Sequence, residues 1–244
     1  MADFSVKSLN CLNKETINLL QKNQQLKPLI RTELIKDTLR EIKIDKNDEV
    51  NLLNDFRKNL KLEEDEKFNK WLSKNPFNLE DIKDTAYYKK RYSFFCDKHF
   101  SHKIDSRFLK RKKDLDIVVY SLIRVSDYFK AKELFYRAFE DEEDFGSLAA
   151  NHSEGLERKT RGIVGPIPLG KSHRVLEKLI RQSKPGEILA PTQIEDYFVI
   201  IRLESLDAAK LDNHMREKMV DELFNEWINS RVDELSSKLI EQYN

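Results

Sequence analysis

Five histidines and two cysteines are the side chains best suited to metal or nucleophilic chemistry, and their spacing decides what they can do. His99 and His102 stand three apart at a helix end, the spacing of a ligand pair, but no third ligand follows at a suitable interval. The pair therefore reads as surface or cap residues, and no metal is expected. Cys11 and Cys96 are far apart and carry no ligand spacing, so they read as free thiols in a reducing compartment. No Ser-His-Asp arrangement, phosphate-binding loop or dinucleotide fingerprint occurs, which leaves acyl transfer and nucleotide chemistry without residues to carry them. No cofactor is expected. The acidic run at residues 141–144 (DEED) reads as charge favoured at a helix N-terminus.

The elements that position these residues change character along the chain. All six glycines lie between Gly146 and Gly186, and four of the six prolines between Pro166 and Pro191. Glycine and proline reach turn conformations that other residues reach only at a cost, so this stretch holds the turns. Before and after it the chain reads as helix. Leu26, Leu29, Ile30, Leu34, Ile35, Leu39 and Ile42 recur at helical spacing, with Pro28 placed to start the helix rather than break it. Further helices follow around Leu52 to Leu60 and around Trp71. Asn78 with Asp81 opens another, which carries Ile82 to Phe100, and a last one covers residues 101–113. At the other end Leu211, Met215, Met219, Leu223 and Trp227 begin one long amphipathic helix. No helical partner lies near it in sequence, so it is expected to fold back onto the N-terminal helices.

The middle alternates. Residues 116–125 (DIVVYSLIRV) read as a buried strand, and Ser126 as the N-cap of a helix through Phe139. A short helix over residues 144–150, a strand at Gly162-Ile163-Val164-Gly165 and a helix over residues 175–180 follow. Lys184 to Ile188 make a turn, and residues 197–203 (YFVIIRL) form the last strand. The predicted order is β-α-α-β-α-β.

Composition narrows the function. Lys and Arg number 44 against 43 Asp and Glu, so the net charge is +1 and the basic excess of a nucleic-acid binder is missing. Fourteen Phe and eight Tyr argue against disorder. No window reaches the roughly 18 apolar residues of a membrane span, so no membrane insertion is expected. The opening residues show no secretory pattern, and a cytoplasmic location is the expectation.

Several short motifs in the middle resemble the parvulin-type (PpiC/rotamase) peptidyl-prolyl isomerases. Phe145-Gly146-Ser147-Leu148-Ala149 resembles that family's F-x-x-L-A helix, followed by His152-Ser153-Glu154. Gly162-Ile163-Val164-Gly165 resembles its G-G-x-L-G strand, with Arg161 at the first glycine. Lys184-Pro185-Gly186-Glu187-Ile188 resembles its G-E-[IV] turn, and Ile200-Ile201 its last strand. Five pieces in the right order over about 90 residues make a specific pattern. Helices before the module and one long helix after it resemble the layout of parvulin-containing chaperones.

The resemblance implies an α+β fold with a helical, chaperone-like domain at 1–113, a parvulin-like domain at 114–206 and a C-terminal helix at 207–244 that completes the first. It also implies site positions. The first-strand histidine of the family falls on Ser121, as the catalytic candidate, and the last-strand histidine on Phe198. The loop Cys or Asp falls on Gly155. Ser172 and Leu176 take the pocket Met and Phe, and His173 the polar position beside that Met. His152 and His173, both read as lying in loops of the module, are further candidates for the peptide cleft. A proline-containing, unfolded or extended polypeptide is the implied partner. Two functions follow: a cytosolic prolyl isomerase and chaperone assisting a client, or a catalytically degenerate parvulin that binds polypeptide as chaperone or adaptor.

Overall fold

The computed structural model describes residues 6–243. Its helices are α1 (Lys14–Lys22), α2 (Leu26–Arg40), α3 (Lys46–Asn59), α4 (Asp65–Lys74), α5 (Leu79–Phe100) and α6 (Ile104–Leu115), then α7 (Tyr128–Phe139), α8 (Phe145–His152), α9 (Arg174–Gln182) and α10 (Asn213–Tyr243). The strands are β1 (Ile117–Val125), β2 (Ile163–Pro168), β3 (Ile188–Ile194) and β4 (Tyr197–Asp207). They divide into two compact units, Met1–Ile104 with Asn213–Asn244, and Asp105–Asp212. Helix α6 thus goes mostly with the second unit, where the sequence reading had kept residues 101–113 with the first.

In the first unit α10 lies against α2 and α5, the fold-back that its lone amphipathic pattern requires. Ile30, Leu34, Phe95 and Phe100 meet Phe224, Ile228 and Val232 in one apolar core. Polar bonds line its edge: Lys27 pairs with Asp233, and Arg31 donates to Asn225 and Asn229. Helix starts are capped as the residue types demand. Asn13 accepts from the Thr16 amide, Asp45 from Asn47, and Asn78 with Asp81 forms a reciprocal capping box. Helix α1 escaped the periodicity reading because Ile17 is its one buried residue. No helix among the described residues is long and apolar enough to cross a membrane.

The second unit is a four-stranded antiparallel sheet in the order β2-β1-β4-β3. Its register sorts side chains by face. Tyr120 lies opposite Leu203, Leu122 opposite Ile201 and Arg124 opposite Val199; the intervening pairs are Ser121–Arg202, Ile123–Ile200 and Val125–Phe198. Tyr120, Leu122, Val199, Ile201 and Leu203 of the first set pack with Leu176 and Ile180 of α9. Ile123, Val125 and Ile200 of the second set pack with Ala131 and Leu134 of α7 and Phe145 and Leu148 of α8.

Two details differ from the sequence reading. Strand β3 was read as turn only, because Pro191 interrupts its apolar run. As an edge strand with a register shift between Leu189 and Thr192, it tolerates a residue without an amide donor. The cap of α7 is Asp127, which accepts from the Lys130 amide, while Ser126 donates through its amide and hydroxyl to Glu154.

Candidate functional site

The register corrects two of the site positions. Ser121 and Phe198 lie on the α7–α8 face, and Leu176 and Ser172 belong to the α9 side, so these four do not form one site. Side chains alternate along a strand, and a shift of one residue moves a position to the opposite face. Tyr120 and Leu122, on either side of Ser121, and Val199, next to Phe198, face α9. Alternation counted from the apolar residues Val118, Leu122, Val199 and Ile201 carries this signal, and motif matching passed over it.

On the α9 side, Tyr120, Leu122, Val199, Ile201 and Leu203 form an apolar floor, with Leu176 and Ile180 above it and Val164 and Ile167 of β2 beside it. The Tyr120 ring is 5% exposed. Burial raises its phenol above the usual value, and the Ser172 hydroxyl facing it acts in the opposite sense. Ser172 Oγ is itself buried without completing a hydrogen bond of good geometry.

A charged cluster closes one end of this floor. Arg124 Nη2 donates to Glu157 Oε2 at 3.0 Å, and its guanidinium lies 5.3 Å from the Tyr197 ring centre. Ser153 Oγ donates to Glu157 Oε1 at 2.7 Å and accepts from the Arg124 amide at 3.0 Å. Glu157 is 8% exposed, so its carboxylate depends on these partners to offset the loss of water. Gly155 is part of this closure. A Cβ there would meet Arg124 Nη2 at 1.9 Å and Glu157 Oε2 at 2.2 Å, so the position implied for a Cys or Asp has no room for either beside this ion pair. Arg124, Glu157 and Tyr197 were not foreseen from the sequence.

The two remaining candidates sit apart. His173 is the exposed N-cap of α9, its Nδ1 accepting from the Val175 amide at 3.3 Å. His152 is the last residue of α8 and half-buried.

The opposite face carries its own polar group. Ser121 donates to Glu204, Arg202 Nε donates to the same Glu204 oxygen at 2.8 Å, and the Arg202 guanidinium stacks 5.1 Å from the Phe145 ring centre. Ser121 is buried and every partner in this chain of bonds is internal, which is the pattern of a structural network. Arg161 also acts locally. It adopts a left-handed conformation (φ 54°) where the family motif has glycine, a state that costs a side-chain-bearing residue about 1 kcal/mol. Its guanidinium donates to Asp144 at 2.6 Å and to Ser147 Oγ at 3.2 Å, which ties the turn to the start of α8.

Two of the cavities in the helical unit carry features of interest. One, of about 580 Å³, opens between α2, α3 and α5 and is lined by Ile35, Leu52, Phe56 and Tyr88 with Lys36 and Asp55 among them. The other, of about 430 Å³, contains Tyr92, Cys96 and Asp221. There the Tyr92 hydroxyl donates to Asp221 Oδ1 at 2.5 Å, and burial pushes the Cys96 thiol up to about 11.

Comparison with known proteins bears on the second unit. The family model of the PPIC-type PPIase domain (rotamase) matches residues 124–205, from the end of β1 through most of β4. None of the curated proteins matches. Among solved structures, a peptidylprolyl isomerase (PrsA) from Bacillus anthracis is 18% identical, with 85% of this chain and 95% of that one covered and a TM-score of 0.45. PrsA from Bacillus cereus is 18% identical, with 96% and 88% covered and a TM-score of 0.49. A SurA-like chaperone structure from Campylobacter jejuni is 16% identical, with 100% and 94% covered and a TM-score of 0.39. At these values the assignment rests on the family match and on the sequence motifs. Residues 124–205 are thus the part of this chain that matches a known family, the PPIC-type, or rotamase, domain of peptidyl-prolyl isomerases.

Proposed function

We propose that this protein is a polypeptide-binding chaperone of the parvulin type that holds an extended, proline-containing client and turns its prolyl bonds over slowly. One observation carries the reading: the face of the sheet under α9 presents Tyr120 and Val199, both nearly buried, on the two strands where the family places its histidines. Prolyl rotation has a barrier near 20 kcal/mol, and catalysis requires groups that bind the twisted amide better than the planar one. Imidazole pairs can switch donor and acceptor around a rotating carbonyl. A valine offers neither, and the Tyr120 hydroxyl is turned to Ser172 inside the unit. Arg124 is held by Glu157 and Tyr197. The groove between α2, α3 and α5, apolar with charges of both signs at its edge, supports client holding by the helical unit.

The test measures both activities on the full chain. Aggregation of an unfolded client is followed by light scattering, and cis–trans exchange of a proline peptide by NMR. Suppressed aggregation is expected, lost in Phe56→Glu, with exchange raised no more than about tenfold over the spontaneous rate. Exchange accelerated a thousandfold or more, which needs about 4 kcal/mol of transition-state preference, would make the protein an isomerase first. We place it in the cytosol, a reading supported by Cys11 and Cys96 as free thiols. Recovery of the protein in the membrane or secreted fraction of its own cells would overturn that placement.

A further inference from the structure

Helix α7 covers one face of the sheet with Ala131, Leu134 and Ala138 and turns a second aromatic face outward. Phe129 is 78% exposed, Phe139 61%, Tyr136 48% and Tyr128 44%. At 100° per residue these four, with Lys132 and Glu133, fall within a single arc of the helix. Scattered exposed aromatics are ordinary, but four on one face of a three-turn helix, with Lys132 and Glu133 among them, make an aromatic-rich face of the kind that marks an interface.

The charges around the patch are arranged head to tail. Lys130 and Lys132 lie in the first turn and a half, and Glu140, Asp141 and Glu142 follow the last turn. None of these five makes an ion pair among the described residues, whereas Arg137 is held by Glu133 and Glu143, and Asp144 by Arg161. The helix macrodipole favours acids at the start and bases at the end, so the free charges run against it. A second α7 laid antiparallel removes the conflict. It sets the lysines of each copy near the acids of the other, opposes the two dipoles, and closes the aromatic rings between them.

We infer that the outward face of α7 is a self-association surface at which a second copy of this chain docks antiparallel about a two-fold axis. The rings alone would bury roughly 400 Å² per copy, given about 200 Å² for each aromatic side chain. That is about half of the ~800 Å² per partner of a standard stable interface. The dimer is therefore weak and concentration-dependent.

Sedimentation velocity of the full chain, from about 5 μM to about 500 μM, tests this in the range where such a contact saturates. The average mass should rise toward two chains. Phe129→Ser with Phe139→Ser should weaken association more than about tenfold. Lys132→Glu alone, or Asp141→Lys with Glu142→Lys, should each weaken it about tenfold at low salt. All these positions are exposed, and unchanged circular dichroism will confirm that the variants fold. Combining the three charge reversals in one chain should restore the dimer, because an antiparallel pair brings the lysine-bearing half of each helix toward the acidic end of the other. A chain that stays monomeric throughout overturns the inference. So does a triple variant no better than its components, or a patch that binds a lysine-rich peptide probe but not its own copy.

Discussion

Four strands serve two faces of one sheet, and the faces have been used differently. Beneath α7 and α8 the layer is closed by Ile123, Val125, Phe145 and Leu148, and its polar members Ser121, Arg202 and Glu204 are spent on one another. Beneath α9 the floor is hydrocarbon over most of its length and ends in the Arg124–Glu157–Ser153 cluster beside the Tyr197 ring. The same backbone thus separates a sealed structural layer from a layer whose end is marked by a buried ion pair and an aromatic ring. A polar residue in such a strand has no functional meaning until its face is known.

The largest effect expected from this contrast lies on the sealed side. Leu148→Ala removes a fully buried side chain and should cost about 3 kcal/mol in urea unfolding, within the usual 2–5 kcal/mol of such truncations. Glu157→Ala comes next. It leaves Arg124 and Ser153 without their acceptor and should cost about 2 kcal/mol. It should also loosen the loop at Gly155, read as faster amide exchange from residue 153 to 160 while α7 and α8 keep their protection. A smaller pair of substitutions compares the faces directly. Ser121→Ala should lower stability by about 1 kcal/mol and leave proline-peptide affinity unchanged, whereas Tyr197→Ala, at the half-buried edge beside Arg124, should change affinity a few-fold at little cost to stability. The reverse pattern, measured by titration calorimetry and chemical unfolding, would return the site to the α7–α8 face.

The smallest effect is set by pH. Asp144 caps α8, and the Ser147 amide, followed by the Ser147 hydroxyl and Arg161, holds its carboxyl below the usual carboxylate range. A depressed folded-state value stabilises the protein above the ordinary carboxylate value and loses that contribution as pH falls through the folded one. Asp144→Ala should therefore cost about 1 kcal/mol near neutrality. The gap between wild type and variant should narrow from about pH 4 downward.

Much of the architecture was legible because it rests on local physics. The α2 pattern from Leu26 to Leu39, the Asn78–Asp81 box and the glycine-free flanks each follow from spacing or residue type. The fold-back of α10 followed from an apolar stripe with no neighbour to cover it. Strand β3 was hidden by Pro191, since an edge strand obeys looser rules than a central one. The candidate site was legible only in part. Motifs located the loop at Gly155, Ser172 just before α9 and Leu176 within it, but a motif does not carry strand parity, and that is where Ser121 and Phe198 stood in for their neighbours Tyr120, Leu122 and Val199. The Arg124–Glu157 pair spans 33 residues and becomes visible only when β1 and the loop after α8 are brought together.

One further feature of the sheet bears on how its two open edges are kept from pairing with other chains. Both outer strands are studded with proline, Pro166 and Pro168 in β2 and Pro191 in β3. Each removes an amide donor from a row that would otherwise be open to a passing extended chain. An extended chain laid against either edge would therefore meet an interrupted template, the ordinary guard of an exposed strand against pairing with a neighbour.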